Sequence, residues 1–153
     1  MTATPYPLSA HFFETVVAPT VDEFLANDQN IRRGFLAAIV LSHIADYWAA
    51  DEGHSNAHRV RVSVADACPA FQLVWDVADA AKHQTLTKRP DTRTLTNAGQ
   101  VRAPAATFGS FLFGEVAFGA TGSPVKVLQD DRTIAFLAPA IRASVKEWKR
   151  RLS

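Results

Sequence analysis

The chain has 153 residues, of which 48% are hydrophobic and 20% charged, so it can bury a sizeable core and is predicted to form a single domain over 1–153. A formal net charge of +1 excludes a whole-molecule field that would attract DNA or an anionic membrane. The single cysteine excludes an intramolecular disulfide, and the start has no secretory leader pattern, which predicts a cytoplasmic protein. The longest apolar-looking stretch, 34–48, is interrupted by polar residues and is shorter than the roughly 20 residues that cross a bilayer, so no membrane partner is expected.

The first predicted helix begins near Ser9, whose hydroxyl can cap it, and is bent or broken at Pro19. Its apolar positions are Phe12, Phe13, Val16 and Val17. Thr20 and Glu23 have the spacing of a capping box, which favours a new helical start just after the proline.

Two or three further helices are predicted before residue 87. One runs from about Asn30 to Ala50, because its apolar residues recur with the helical period, and Gly53 can stop it. Residues 59–64 alternate like a strand but lead into helix-compatible sequence, so periodicity leaves both open, and we favour a helix. Pro69 suits the first position of the next helix, which ends near His83.

The second part of the chain changes character, since Gly, Pro, Thr and Phe accumulate there. A helical part of about 9–87 is therefore distinguished from a part of about 91–152 that holds a sheet and a closing helix. Segment 108–118 is aromatic and broken by glycines, which predicts a bulged strand. Residues 125–128 and 133–136 are predicted to be two strands of a hairpin.

The closing helix is predicted to open at Pro139 and to be amphipathic, with Ile141, Val145, Trp148 and Leu152 on its apolar stripe. The fold class is therefore α+β, with an N-terminal bundle of three to four helical segments, a small antiparallel sheet and a C-terminal amphipathic helix. The phenylalanines of segment 108–118 exceed what one side of a short strand can bury, which predicts a homodimer.

Polar residues at helical spacing interrupt two apolar runs. His43 and Asp46 are three apart, and Asp76, Asp79 and His83 follow i, i+3, i+7, so each set projects from one helical stripe. If the stripes face each other, they supply ligands for a divalent metal such as zinc, iron or manganese, namely His43, Asp46, Asp76 and His83, with Asp79 nearby and His11 as a third imidazole. The alternatives are a core His43 beside a solvated stripe on the later helix, or a buried hydrogen-bond network.

The run from Asp76 to His83 resembles the Asn-or-Asp, two residues, Lys-His pattern of helical HEPN-type domains and similar bacterial proteins, many of them linked to toxin–antitoxin or phage-defence systems. The resemblance covers about eight residues, Lys82-His83 among them. It implies an RNA-associated protein, since active members are RNases that pair an Arg with a later His across a dimer. His83 aligns with that catalytic histidine and Asp79 with the polar position, but Ala78 stands where the arginine belongs, which implies a divergent or inactive member.

RNA cleavage also needs a base and a cation irrespective of family, and the sequence offers both near one helix end. His83 is the candidate base, and Lys82 or Arg89 is the candidate cation. On a helix, the side chain of Lys82 is rotated about 100 degrees from that of His83 around the helix axis, so the two do not naturally share a pocket. Lys82, Lys88, Arg89 and Arg93 form a local basic patch, which is either an RNA contact or solvated surface.

The glycines of segment 114–119 lack the spacing and the following Lys-Ser/Thr of a phosphate-binding loop, so no nucleotide cofactor is expected.

The sequence leaves three functions open. The leading prediction is a binding or regulatory domain, RNA-associated in the HEPN-like manner, with His83 and Asp79 as its candidate catalytic residues. The alternatives are a metal-dependent helical-bundle enzyme and a purely structural or interaction protein.

Overall fold

The computed structural model describes residues 6–53, 56–104 and 122–153, which are mostly helical with a small three-stranded antiparallel sheet and a C-terminal helix. The predicted α+β class is confirmed. Segment 108–118, for which the sequence predicts an aromatic strand, lies outside the described ranges. The homodimer inferred from this segment therefore stays a prediction. Within those ranges, every helix is too short or too polar to cross a membrane.

The N-terminal helical run passes Pro19 by means of a π-helical turn. Helix α1 spans Leu8–Phe12, the π turn spans Phe13–Val17, and α2 spans Ala18–Leu25. A proline lacks an N–H and crowds the carbonyl four residues earlier, and the wider π turn lies directly before it. The helix therefore does not start anew at the proline. Thr20 lies inside α2, which has no side-chain cap, so the predicted capping box is wrong.

The sequence suggested Ser9 as the cap of α1, but its side chain does not cap this helix. It connects α1 to the end of the next long helix instead. Helix α3 spans Ile31–Asp51, and Asp51 accepts hydrogen bonds from the backbone N–H groups of Leu8 and Ser9 at 3.0 and 2.7 Å and from Ser9 Oγ at 2.5 Å. The carboxylate therefore satisfies N–H groups at the start of α1 that have no partner within that helix. Burial acts to raise the pKa of Asp51, but the hydrogen bonds from Ser9 and Leu8 outweigh it and lower the pKa below its ordinary value.

Helices α3 to α5 follow the predicted positions. Asn30 caps α3 by accepting from the N–H of Arg33 at 3.0 Å. Helix α4 spans Ala57–Ala67, so the helical interpretation of residues 59–64 is confirmed. Helix α5 spans Ala70–His83 and follows Pro69 directly.

The sheet consists of β1, Val101–Arg102, β2, Lys126–Leu128, and β3, Ile134–Phe136, in that order, and is antiparallel throughout. Strands β2, Lys126–Leu128, and β3, Ile134–Phe136, form the predicted hairpin, with Val127 opposite Ala135. The sequence did not single out β1, Val101–Arg102, whose two residues are too few to show alternation.

Helix α6 spans Leu137–Leu152 and begins directly after β3, so Pro139 occupies its third position rather than its first. Its predicted stripe is confirmed, since Ile141 and Trp148 are fully buried. Near its end, hydrogen bonds from Arg150 and then Arg151 hold the pKa of Glu147 at about 2 against the opposing effect of burial.

Helix α3 lies at the centre of the bundle and is crossed closely at Gly34. A Cβ on this residue would lie 3.0 Å from Leu137 Cδ2 and 3.2 Å from Phe24 Cε2, so side chains of α2 and α6 pack directly on its backbone. The buried apolar residues of α3, α5 and α6 share one core, and this places α4 and the segment after α5 at its edge, where the polar residues gather.

The variant Asp51→Asn tests the contact between α3 and α1. We expect it to lower the free energy of unfolding by about 1 kcal/mol at pH 7, as for the loss of a helix cap. Because the folded-state pKa of Asp51 is lowered, its stabilisation is present above the ordinary value of 3.8 and is lost as the pH falls below it. Urea unfolding at pH 7 and at the lowest pH that keeps the chain folded measures both effects.

The neighbouring variant Glu52→Gln is the control, because Glu52 is exposed and its side chain has no partner among the described residues. Equal losses in the two variants would contradict the assigned role of Asp51.

Candidate functional site

The first predicted ligand pair, His43 and Asp46 on α3, lies at the surface beside an arginine of α4. His43 Nδ1 is 2.9 Å from Asp46 Oδ2, and Arg61 Nη2 donates to the same oxygen at 2.5 Å. Arg61 Nε also donates to the carbonyl oxygen of Ser42 at 3.1 Å, which holds the guanidinium against α3. The His43 side chain is 57% exposed, so the alternative of a core histidine is wrong.

The second predicted set is divided by burial, because Asp76 is fully buried within α5. Its Oδ2 accepts from the N–H and hydroxyl of Thr94 at 2.6 and 2.9 Å, and its Oδ1 accepts from Gln72 Nε2 at 3.0 Å and lies 3.0 Å from Arg89 Nη2. Burial raises the pKa of this carboxyl, although the Thr94 N–H and the Arg89 charge oppose the shift. These donors fill the acceptor positions of a carboxylate, so Asp76 belongs to a buried hydrogen-bond network rather than to a solvated stripe.

Arg89 joins the buried and the exposed parts of this network. Its Nη2 lies 2.7 Å from Asp79 Oδ2 as well as 3.0 Å from Asp76 Oδ1. Its guanidinium carbon is 3.8 Å from the ring centroid of Trp75, a cation–π contact. Its buried Nη1 has no hydrogen-bond partner among the described residues, and its φ of +55° lies in the left-handed region, which is costly for a residue with a Cβ.

The segment that carries Arg89 is folded back over α5 by backbone hydrogen bonds. Gln84, at φ +63°, reverses the chain where α5 ends. The N–H of Leu86 donates to the carbonyl of Thr96 at 2.6 Å, and Arg93 Nη1 donates to the carbonyl of Leu86 at 2.9 Å. Residues 85–89 are thereby held opposite α4.

A cavity of about 440 Å³ lies between α4, α5 and residues 85–89, within the size range of small-ligand sites. We call it the cationic cavity, because its ionisable lining consists of Arg61, Lys88, Arg89, His58, His83 and Asp79. Lys88 is exposed and has no side-chain partner among the described residues. Thr85, Thr87 and Trp75 also line it.

The cationic cavity brings together three residues that the sequence suggested for RNA chemistry: Asp79, His83 and Arg89. Lys82 is exposed on α5 and does not line it, in agreement with the helical geometry. His11 lies on α1, in edge contact with the ring of Tyr6 at 6.4 Å between centroids, and is not part of the cavity.

The predicted metal ligands do not form one cluster in the described ranges. Within 6–53, 56–104 and 122–153, no three His, Cys, Asp or Glu side chains are grouped in a way that could hold a metal ion. Asp46 and Asp76 each face an arginine, Arg61 and Arg89, and His83 lines the cationic cavity. The described residues therefore give the prediction of a divalent metal site no support.

The lining residues that were not singled out from the sequence include His58, Arg61 and Trp75. His58 and Arg61 are three apart on α4 and so share a helical face. That signal becomes visible once residues 59–64 are taken as helix, whereas on a strand the two side chains would point to opposite faces.

A second cavity, of about 360 Å³, adjoins the first at the stacked Arg89 and Trp75. It shares these two residues and His58 with the cationic cavity. We call it the acceptor cavity, because its remaining polar lining is Asp66, Gln72, Asp91 and Thr92. The stack of Arg89 on Trp75 thus lines both a cavity rich in positive charge and a cavity rich in hydrogen-bond acceptors.

No family model matches the chain, and neither the curated proteins nor the solved structures contain a match to it.

The variant Asp76→Asn tests whether the buried carboxylate holds the segment that lines the cavities. An asparagine amide nitrogen would face the N–H donors that now bind the carboxylate, and Arg89 would keep only Asp79 as an ionic partner. We therefore expect a loss of about 2–4 kcal/mol in unfolding free energy. We also expect faster hydrogen exchange of the Thr94 amide, which donates to Asp76 Oδ2 at 2.6 Å.

Asp79→Asn is the matched control, because Asp79 shares the Arg89 partner but its side chain is 32% exposed. We expect it to cost about 1 kcal/mol or less and to leave the Thr94 amide protected. A larger loss in Asp79→Asn than in Asp76→Asn would contradict this assignment.

Proposed function

We propose that this protein is an RNA-associated binding protein and that the cationic cavity holds a phosphodiester of single-stranded RNA. The observation that carries the proposal is the convergence of Arg61, Lys88 and Arg89 with two imidazoles around one cavity. The HEPN-like resemblance, which ends at His83 in the same cavity, points to the same ligand.

Cationic side chains outnumber carboxylates in the lining of the cavity. Arg61 and Arg89 are each engaged by carboxylates, Asp46 for the first and Asp76 and Asp79 for the second. Lys88 has no such partner in the described ranges, so its ammonium group is available to an anion. Phosphate oxygens accept well from ammonium, guanidinium and hydroxyl groups, all of which line this cavity.

The size of the cavity favours a single strand over a duplex. A volume of about 440 Å³ accommodates a nucleotide-sized group, whereas a double helix needs an extended basic surface with many simultaneous contacts. The net charge of +1 adds little long-range attraction, so the local contacts must supply the affinity. Binding on the order of 10⁻⁵ M is expected, as for proteins whose affinity rests on phosphate contacts.

Within this proposal His83 and Asp79 have different roles. The exposed imidazole of His83 can donate to a phosphate oxygen or accept a hydroxyl proton. The carboxylate of Asp79 is paired with Arg89 and orients that guanidinium. Their role in RNA cleavage stays a prediction of the sequence.

The variant Lys88→Gln is the sharpest test. We expect it to weaken binding of a labelled single-stranded RNA of about 12 nucleotides by roughly 3- to 10-fold and to reduce the salt slope by about one. Fluorescence anisotropy over a series of salt concentrations measures both quantities, and thermal unfolding should be unchanged because Lys88 is exposed and unpaired in the described ranges.

The control is Lys82→Gln, which removes the same charge from an exposed position outside the cavity. It should leave affinity and salt slope close to those of the unmodified chain. Equal effects of the two substitutions would indicate a diffuse surface interaction, and an unmodified chain that does not bind RNA would rule the proposal out.

A further inference from the structure

We infer that the acceptor cavity is a base subsite that selects guanine, and that the nucleotide it holds places its phosphate in the cationic cavity. This inference rests on the proposed function, because it assumes that a nucleotide occupies the neighbouring cavity. It concerns the specificity of the site, to which the basic residues contribute little, because a phosphate is common to all nucleotides.

The two cavities are neighbours and share part of their lining. Trp75, Arg89 and His58 line both of them. Within this shared lining, the Arg89 guanidinium carbon lies 3.8 Å from the Trp75 ring centroid. A nucleotide that passes beside the exposed ring of His58 can therefore place its phosphate in one cavity and its base in the other.

The acceptor cavity offers carboxylates to a ligand with N–H donors. Asp66 on α4 and Asp91 after Arg89 are both exposed, and neither side chain has a partner among the described residues. Gln72 donates its amide nitrogen to Asp76 at 3.0 Å, which leaves its amide oxygen as a further acceptor. These acceptors come from α4, α5 and the following segment and line the same cavity.

Guanine is the common base whose edge fits such acceptors best. Its N1–H and its N2 amino group are adjacent donors, so one carboxylate can accept from both in a bidentate arrangement. Adenine and cytosine present an amino group next to an unprotonated ring nitrogen, which a carboxylate repels. Uracil presents one N–H between two carbonyl oxygens.

The same cavity is poorly suited to a simple cation. Arg89 contributes a positive charge to its wall, and Val62 and Ala65 contribute apolar surface that suits a planar base. A polyamine would bring two or more charges towards Arg89, whereas a neutral base would not.

The test measures binding of GMP, IMP, AMP and UMP to the full chain by isothermal titration calorimetry. IMP is the decisive probe, because it keeps N1–H but lacks the N2 amino group. We expect GMP to bind at least about tenfold more tightly than AMP or UMP, with IMP between them. In Asp91→Asn or Asp66→Asn, the preference of GMP over IMP should fall to about twofold or less, while AMP binding should change little.

Two controls separate this inference from the proposed function. Lys88→Gln should weaken the binding of all four nucleotides by a similar factor and keep their order of affinity. Glu52→Gln, on an exposed residue just after α3, should change neither the affinities nor their order. If the nucleotides bind equally in a Lys88-dependent way, the guanine subsite is overturned and the phosphate site stands. If spermidine binds instead and competes through Asp66 and Asp91, the acceptor cavity is a cation site and the inference fails. If neither RNA nor any nucleotide binds, the proposed function itself fails.

Discussion

The candidate site depends on one buried carboxylate. Asp76 is held inside α5 by donors from Gln72, Thr94 and Arg89, and two of these lie on the segment that follows the helix. A buried charge without such donors would be strongly unfavourable, so the segment must fold back over α5 for the chain to be stable. The same interaction that compensates the charge therefore positions residues 85–89 opposite α4.

Arg89 shows how this constraint shapes the surface. Its guanidinium bridges Asp76 and Asp79 and covers the face of Trp75, while its backbone takes a positive φ. The side chain lines two neighbouring cavities of different character, with Lys88 in the lining of one and Asp91 in the lining of the other. A strained backbone conformation is retained here because the surrounding contacts over-determine it.

Local sequence patterns predicted the regular elements well where the pattern is long. Helix α3 was found because its apolar residues recur over some 20 positions and Asn30 marks its start. Helix α4 was ambiguous because Arg59 to Val64 alternates in polarity, and packing on α3 and α5 decided for helix. Strand β1 is two residues long and carries no periodic signal. The π turn before Pro19 was not foreseen, since propensity alone indicates a break there.

The sequence by itself determined which polar residues share a helical face. Asp76, Asp79 and His83 were identified together because their spacing is a property of one helix. Only the tertiary structure decided that Asp76 is buried and that His83 lines a cavity with His58 of α4. The reason is that burial and partnership depend on how the segment after α5 returns and which helix it meets, and such long-range contacts leave no periodic trace in the chain.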